Sequence, residues 1–150
     1  ADHCQIGFPK GCGEIPAGAL EVHRRAIPLG ETTSLVKGNV CLVGDAGGLV
    51  NPITFGGIRI AFESGRMAAQ AVAGGDIASY EGRWKASRYA DQKFYEGYRQ
   101  LRSMDNAQLQ GSMEPFRNGY GPLLYAKAMM GRSEYRGLYR AYASSMRFGW

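Results

Sequence analysis

The sequence predicts an α+β fold in which helices dominate, with a remnant of a β-sheet, a strand–turn–helix unit and a C-terminal helical bundle. Three observations predict it. Short apolar runs separated by Pro and Gly fill residues 1–43, as short strands and turns do. From residue 57 the apolar positions change to a helical spacing. A helical spacing also relates four aromatic residues and one leucine: Tyr80, Trp84, Phe94, Tyr98 and Leu101.

The composition is that of a soluble globular domain. The chain has 150 residues, of which 45% are hydrophobic and 21% are charged, and this is enough for a buried core. No apolar run approaches the ~18 residues that a membrane span requires. Three cysteines (Cys4, Cys12 and Cys41) without C-x-x-C spacing favour a reducing cytosol. We therefore expect a cytoplasmic protein. We expect no metal site, because His3 and His23 do not lie at ligand spacing from a second candidate.

Three strands are predicted in the first part of the chain. Residues 3–8 form a short strand that ends at a Pro–Gly cluster. Residues 20–27 alternate apolar and polar side chains over their first half, as a half-buried strand does. Residues 40–43 are an uninterrupted apolar run, which predicts a buried central strand.

A glycine-rich turn with one carboxylate joins the last of these strands to a helix. Its backbone N–H groups would lie at a helix N-terminus, where electron-rich or anionic groups bind. Asp45 is the one acceptor side chain in the turn and suits the hydroxyl groups of a ribose or ribityl chain. An ordinary strand-to-helix turn is the alternative interpretation, since Gly-Asp pairs are common in turns.

The rest of the chain is predicted to be helical. A helix over residues 57–72 should bury Ile58, Ala61, Phe62, Gly65, Ala68, Ala69 and Val72. Residues 77–110 predict one long helix or two collinear helices with a kink near residue 90. A loop over residues 111–122 follows, then a short apolar helix over residues 123–130. Ser133 should cap a last helix with Tyr135, Leu138, Tyr139, Tyr142 and Met146 on one side.

The C-terminal part carries the whole net charge of +5. Residues 117–150 contain one acidic residue, Glu134, and six basic ones: Arg117, Lys127, Arg132, Arg136, Arg140 and Arg147. Six minus one equals the net charge of the chain, so residues 1–116 are balanced. A basic tail rich in Tyr and Met suits an anionic membrane surface, and a solvated basic face is an equal alternative. Nucleic acid is not expected, because no binding motif accompanies the charge.

The turn and helix resemble a known flavin-binding motif. Gly44-Asp45-Ala46-x-Gly48, followed by Pro52 and a Ser-Gly-x-x-Ala-Ala helix, resembles the second motif of the p-hydroxybenzoate hydroxylase-type FAD-dependent superfamily. Residues 50–52 and 64–69 are most similar to geranylgeranyl reductases, and the resemblance covers residues 24–75. Where that family usually has Thr-Gly-Glu-Gly-Ile or Thr-Gly-Gly-Gly-Ile, this chain has Thr-Phe-Gly-Gly-Ile at residues 54–58.

The resemblance implies a cofactor, a substrate and a site. It implies that Asp45 contacts the ribityl hydroxyls of FAD, while the turn after Pro52 and the helix start face the isoalloxazine ring. The implied cofactor-binding residues are Gly44, Asp45, Ala46, Gly47, Gly48, Pro52, Gly56, Gly57 and Ile58. The implied reaction is hydride transfer from reduced flavin to a carbon–carbon double bond of a prenyl (geranylgeranyl) lipid, followed by protonation. No catalytic residue is identified. The aromatic residues at 80–101 are interpreted as core, with a prenyl-binding wall as the alternative.

The family also has a G-x-G-x-x-G turn for the FAD pyrophosphate, and none precedes Gly44 here. We therefore expect the C-terminal portion of a longer oxidoreductase, inactive and weak in FAD binding by itself. Residues 1–76 would be a partial FAD and substrate segment, and residues 77–150 a C-terminal helical region. The uncovered side of the strand at residues 40–43 should drive self-association. A related flavin monooxygenase or halogenase, and a helical interaction module that has lost FAD, are the alternatives.

Overall fold

A computed structural model describes residues 14–15, 17–24, 26–30, 32, 34–119, 121–131 and 133–147. Within these residues the protein has six α-helices and a two-stranded antiparallel sheet, which confirms the predicted helix-dominant α+β fold. The strand predicted at residues 3–8 lies outside the described residues. The division at residue 76 stays a prediction.

The elements follow one another in a simple order. The α-helices and strands are β1 (Val36–Lys37), β2 (Val40–Cys41), α1 (Ile58–Ala73), α2 (Ser79–Lys85), α3 (Gln92–Ser103), α4 (Asn106–Met113), α5 (Pro122–Gly131) and α6 (Arg136–Arg147). Short 3-10 turns occur at Gly44–Gly47, Arg88–Ala90, Glu114–Phe116 and Ser133–Tyr135.

The sheet is smaller than the sequence predicts. In β1 and β2, Val36 lies opposite Cys41 and Lys37 lies opposite Val40. The prediction of a buried central strand over residues 40–43 is wrong, because only two residues pair and Val40 is 62% exposed. The strand predicted over residues 20–27 is also absent from the described residues of that range. A strand needs a neighbour for its N–H and C=O groups, and no described segment pairs with this one.

Helix α1 is confirmed, but its predicted buried face is wrong. The buried residues are Ile60, Ser64, Ala68 and Ala71, of which only Ala68 was predicted. Phe62 is 77% exposed, and with Ile58 and Val72 it forms an exposed apolar stripe. The small side chains of Ser64, Ala68 and Ala71 face inward beside Ile60. The Gly44 turn lies so close to this helix that a Cβ at Gly44 would be 2.9 Å from the Ala61 Cβ. Self-association stays a prediction.

The helices after residue 77 are shorter and more numerous than predicted. A single long helix, or two collinear ones, is replaced by α2, α3 and α4. The predicted break near residue 90 is present, because the Asp91 carboxylate accepts the Lys93 N–H (3.0 Å) and caps α3. Asp105 and Gln108 form a capping box that starts α4. Because α4 continues to Met113, the loop predicted over residues 111–122 starts later. Helices α5 and α6 lie where they were predicted, but the prediction that Ser133 caps the last helix is wrong, because Ser133 belongs to the 3-10 turn that precedes α6.

Two apolar clusters hold these elements together. The first lies between α1, α2 and the sheet and consists of Leu35, Leu49, Ile60, Ala68, Ala71, Tyr80, Trp84 and Tyr89. The second lies between α3 and α6 and consists of Ile53, Phe94, Leu138 and Ala141. Tyr80, Trp84 and Phe94 are buried in them, which confirms the interpretation of the aromatic positions as core. At Gly97 a Cβ would lie 2.8 Å from the Ala141 Cβ, so glycine allows α3 and α6 to approach.

One carboxylate joins the sheet to α2. Glu81 Oε2 accepts hydrogen bonds from the Ser34 hydroxyl and the Leu35 N–H, both at 2.9 Å, and Lys85 Nζ lies 2.6 Å from Oε1. The hydrogen bond from Lys85, together with those from Leu35 and Ser34, lowers the pKa of Glu81 to about 2. The carboxylate therefore stays ionised at all but strongly acidic pH and keeps the segment before β1 on α2.

Tyr80 makes folding stability depend on alkaline pH. Its buried hydroxyl donates to the Leu42 carbonyl (2.9 Å), and burial raises the pKa of Tyr80 from 10.0 to about 12. The unfolded chain loses this proton first, so the stability that the neutral phenol contributes is full below pH 10 and is lost towards about pH 12. A pKa shift of that size corresponds to roughly 3 kcal/mol. The urea concentration at the unfolding midpoint should fall more between pH 9 and pH 11 for the wild type than for Tyr80→Phe. Equal pH dependence in the two proteins would contradict this assignment.

Candidate functional site

The glycine-rich turn is fixed to α1 by a buried hydroxyl. The Gly44 N–H donates to Ser64 Oγ (3.0 Å), and that hydroxyl in turn donates to the Ile60 carbonyl (2.7 Å). Gly44 has φ +50°, in the left-handed region that favours glycine. Ser64 was not predicted as a site residue. The sequence signal that could have identified it is the position of Ser64, a small polar residue four positions after Ile60 and therefore on the same face of the helix.

Several predicted site residues are used for packing. Gly44, Gly47, Gly48 and Pro52 are buried. At Gly48, with φ +66°, a Cβ would lie 2.4 Å from the Gly30 carbonyl oxygen, so glycine is required there without any ligand. Asp45, Ala46 and Ile58 are exposed, while Gly56 and Gly57 are half-buried. The residues that a ligand can reach are therefore Asp45, Ala46 and those at the start of α1.

The segment between the turn and α1 is a buried loop organised by Asn51. Its Oδ1 accepts hydrogen bonds from the N–H groups of Ile53 (2.8 Å) and Thr54 (3.1 Å). Its own N–H donates to the Gly56 carbonyl (3.1 Å), and its carbonyl accepts the Phe55 N–H (2.8 Å). We call residues 51–56 the Asn51 loop. Asn51 was not predicted as a site residue, although an Asn before Pro is a known turn signal.

Phe55 holds an unusual backbone conformation next to the start of α1. Its φ is +57°, and among the described residues it is the non-glycine residue with positive φ. Its ring meets Tyr98 of α3 edge-on, with centroids 6.3 Å apart and planes at 89°. The family that the motif resembles usually has glycine at this position. The left-handed backbone conformation explains why glycine is usual here. In this chain the edge-on contact between the Phe55 and Tyr98 rings offsets part of the steric cost of a non-glycine residue.

Two open grooves meet at the first residues of α1. One, of about 430 Å³, is lined by Asp45, Val50 and Ile27 among others, and we call it the Asp45 groove. The other, of about 830 Å³, is lined by Phe62, Glu63 and Tyr89 among others, and we call it the Phe62 groove. Phe55, Gly57 and Ile58 line both grooves.

The Asp45 carboxylate lies directly against the helix start. A Cβ at Gly57 would be 3.1 Å from Asp45 Oδ1, so the glycine leaves room for the carboxylate. Among the described residues the Asp45 carboxylate has no hydrogen-bond or ion-pair partner, while the Asp45 backbone carbonyl accepts the Gly48 N–H (3.0 Å). Ala61 donates the first hydrogen bond of α1, to the Gly57 carbonyl (2.8 Å), and N–H groups before such a bond have no intrahelical acceptor. This set of donors and acceptors fits a ligand with hydroxyl groups beside a flat, electron-rich portion.

No cluster of three or more His, Cys, Asp or Glu side chains that could hold a metal ion occurs among the described residues. No described helix is both long and apolar enough to cross a membrane.

Comparison with curated proteins confirms the resemblance to geranylgeranyl reductase-like proteins, which are oxidoreductases. The chain is 40% identical over 90 residues to digeranylgeranylglycerophospholipid reductase 3 of Methanosphaera stadtmanae, and this match covers 56% of the chain. It is 39% identical over 59 residues, 39% of the chain, to menaquinone reductase of Mycolicibacterium smegmatis. The matches span only 22% and 14% of those two proteins. No protein-family model and no solved structure matches the chain.

The backbone of Phe55 can be tested by comparing two substitutions. Phe55→Ala and Phe55→Gly both remove the contact with Tyr98, but only glycine also removes the steric cost of the left-handed conformation. We expect Phe55→Gly to be more stable than Phe55→Ala by about 1 kcal/mol. Chemical denaturation measures the difference, and Phe62→Ala against Phe62→Gly in α1 is the control, in which alanine should be the more stable. Equal stability of the two Phe55 variants would contradict the strained backbone.

Proposed function

We propose that residues 44–58 are the flavin-facing part of an FAD-dependent reductase that saturates carbon–carbon double bonds of prenyl chains in a lipid. The observation that carries this proposal is the exposed Asp45 carboxylate, which lies against Gly57 at the start of α1. The resemblance of the motif to geranylgeranyl reductases supports it. The names of the two curated relatives, both reductases, support the same class of reaction.

Each part of the site has a role under this proposal. Asp45 would accept hydrogen bonds from ribityl hydroxyl groups, since a carboxylate has only acceptors to offer. Gly56 and Gly57 would let the backbone approach the flat ring, because no Cβ intervenes. The bound flavin would supply the hydride chemistry. Apolar side chains in the two grooves, such as Ile58 and Phe62, would exclude water and accommodate an apolar chain.

The described residues supply only part of a dinucleotide site. They contain no βαβ unit, whose glycine-rich turn and helix N-terminus bind a pyrophosphate in such proteins. We therefore propose that the phosphates and adenine of FAD are held by residues beyond those described. The 150-residue chain by itself should then bind FAD weakly, as the resemblance also implies.

The Asp45 assignment predicts a loss of flavin affinity. In a polypeptide that joins these residues to a dinucleotide-binding unit, Asp45→Ala should weaken FAD binding by about 1.5–3 kcal/mol, because it removes a charge-assisted hydrogen bond. Quenching of flavin fluorescence during titration measures the affinity. Asp76→Ala is a matched control, since Asp76 is an exposed carboxylate after α1 and outside both grooves. Unchanged affinity in Asp45→Ala would exclude the assignment.

We further propose that the C-terminal helices contact an anionic membrane surface, where a prenyl lipid would be reached. On α5, Leu123, Lys127 and Met130 occur at i, i+4 and i+7 and share one exposed face. Leu123 is 83% exposed and Met130 is 76% exposed. Exposed Arg140 and Arg147 of α6 add positive charge nearby in the chain. Two large apolar side chains around a lysine are suited to insertion between charged headgroups.

The membrane proposal predicts salt-sensitive binding to anionic vesicles. Lys127→Glu should reduce co-sedimentation with vesicles that contain phosphatidylglycerol, because each basic residue near such a surface contributes about 1 kcal/mol. Lys37→Glu makes the same charge change on β1, away from α5, and should bind as wild type does. High salt should weaken binding of both proteins, since it screens the surface potential. Equal binding to phosphatidylcholine vesicles, or an equal loss in both variants, would contradict the proposal.

A further inference from the structure

The Asn51 loop contacts helices α3 and α6 through its buried side chains. The buried amide group of Asn51 donates from Nδ2 to the hydroxyl of Ser145 (3.3 Å), a residue 94 positions later in α6. Asn51 is 1% exposed and Ser145 is completely buried. The Ser145 hydroxyl donates in turn to the Ala141 carbonyl (3.0 Å), so its accepting oxygen is directed by its own helix.

Two further contacts tie the same loop to the same helices. Ile53 packs in the α3–α6 cluster with Phe94 and Ala141. Its Cδ1 is so close to Gly97 of α3 that a Cβ there would lie 3.1 Å away. On the exposed side, the Phe55 ring rests against Tyr98 of α3. Side chains 51, 53 and 55 are thus all held by helices that follow the loop by about forty residues or more in the chain.

We propose that Asn51 is a positioning residue, anchored by Ser145, through which helix α6 sets the shape of the loop at the mouth of the Asp45 groove. Asn51 Oδ1 determines where the N–H groups of Ile53 and Thr54 lie, and the loop then places Phe55 and Gly56 at the start of α1. If Ser145 did not hold the amide, the buried Nδ2 would be unsatisfied, and Asn51 would leave this orientation. The ligand for which the loop is positioned, a flavin, rests on the proposed function.

The anchor makes the ligand site depend on a helix that contributes no lining residue to either groove. This differs from a purely structural hydrogen bond, because the effect is local to the Asn51 loop. Another buried serine, outside α1 and α6, allows the two roles to be separated. Ser112 of α4 is 1% exposed and its hydroxyl donates to the Leu109 carbonyl (2.7 Å), as Ser145 does within α6, but it does not touch the loop.

Amide hydrogen exchange of the 150-residue chain, followed residue by residue by NMR, tests the proposal. In Ser145→Ala, the amides of Ile53 and Thr54 should exchange about tenfold faster than in wild type, the equivalent of one hydrogen bond. In Ser112→Ala they should exchange as in wild type, even if global stability falls by a similar amount. Equal acceleration in the two variants, or none in Ser145→Ala, would overturn the positioning role.

Two further comparisons keep the test decisive. Asn51→Ala removes the acceptor of both N–H groups, so adding Ser145→Ala to it should produce no further acceleration; additive effects would overturn the proposal. Ser145→Thr and Ser145→Val have almost the same shape and differ in the hydroxyl, so only Val should release the loop. That pair replaces Ser145→Ala if the latter does not fold. None of these measurements needs flavin, so their failure is distinct from unchanged FAD affinity in Asp45→Ala, which would reject the flavin assignment alone.

Discussion

A buried segment of chain without helix or strand must find partners for its backbone N–H and C=O groups, and this constraint shapes the whole site. Residues 47–53 are all buried, and none lies in an α-helix or a strand. Asn51 meets the constraint, because its side chain and backbone together satisfy four backbone groups of the loop. The turn before the loop is satisfied in the same way by the Ser64 hydroxyl. Two short polar side chains thus replace the ladder that a sheet would have supplied.

Close approach is the second requirement, and small residues provide it. The Gly44 turn contacts α1 at Ala61, and α3 contacts α6 where Gly97 meets Ala141. Larger side chains at these points would separate the elements and move the loop between them. Three large apolar residues of α1, Ile58, Phe62 and Val72, are exposed and form the stripe, whereas Ile60 is buried.

The sequence was most informative where a local pattern determines a local structure. The spacing from Gly57 onward and the glycines after residue 73 were sufficient to locate α1 within one residue at each end. The direction of its buried face was not predictable from hydrophobicity, because Ile60 is buried together with three small residues while Ile58 and Phe62 are exposed. The break near residue 90 was predictable because Asp91 is a polar residue on an apolar stripe, and in the structure Asp91 caps the start of α3.

The site was predictable only in part, for a similar reason. The glycine–aspartate turn and the start of α1 were recognised from their motif, and the positive φ of Phe55 agrees with the glycine that the motif usually has there. The partner of Asn51 was not predictable, since nothing within a few residues of Ser145 indicates a contact 94 positions away. The prediction of a strand over residues 20–27 was wrong, because alternation of apolar and polar residues indicates an extended backbone but not the presence of a neighbouring strand.

The long separation between Asn51 and Ser145 in the sequence also has a consequence for the order in which parts of the protein fold. A contact over 94 residues closes a large loop of chain and forms late compared with the turns inside α1 or α2. During synthesis, the Gly44 turn and α1 can become ordered against each other while the last helix has yet to be made. The hydrogen bond from Asn51 to Ser145 can form only when α6 has docked. A truncated chain that ends before α6 therefore keeps the motif in its sequence and lacks the Asn51–Ser145 hydrogen bond beside it.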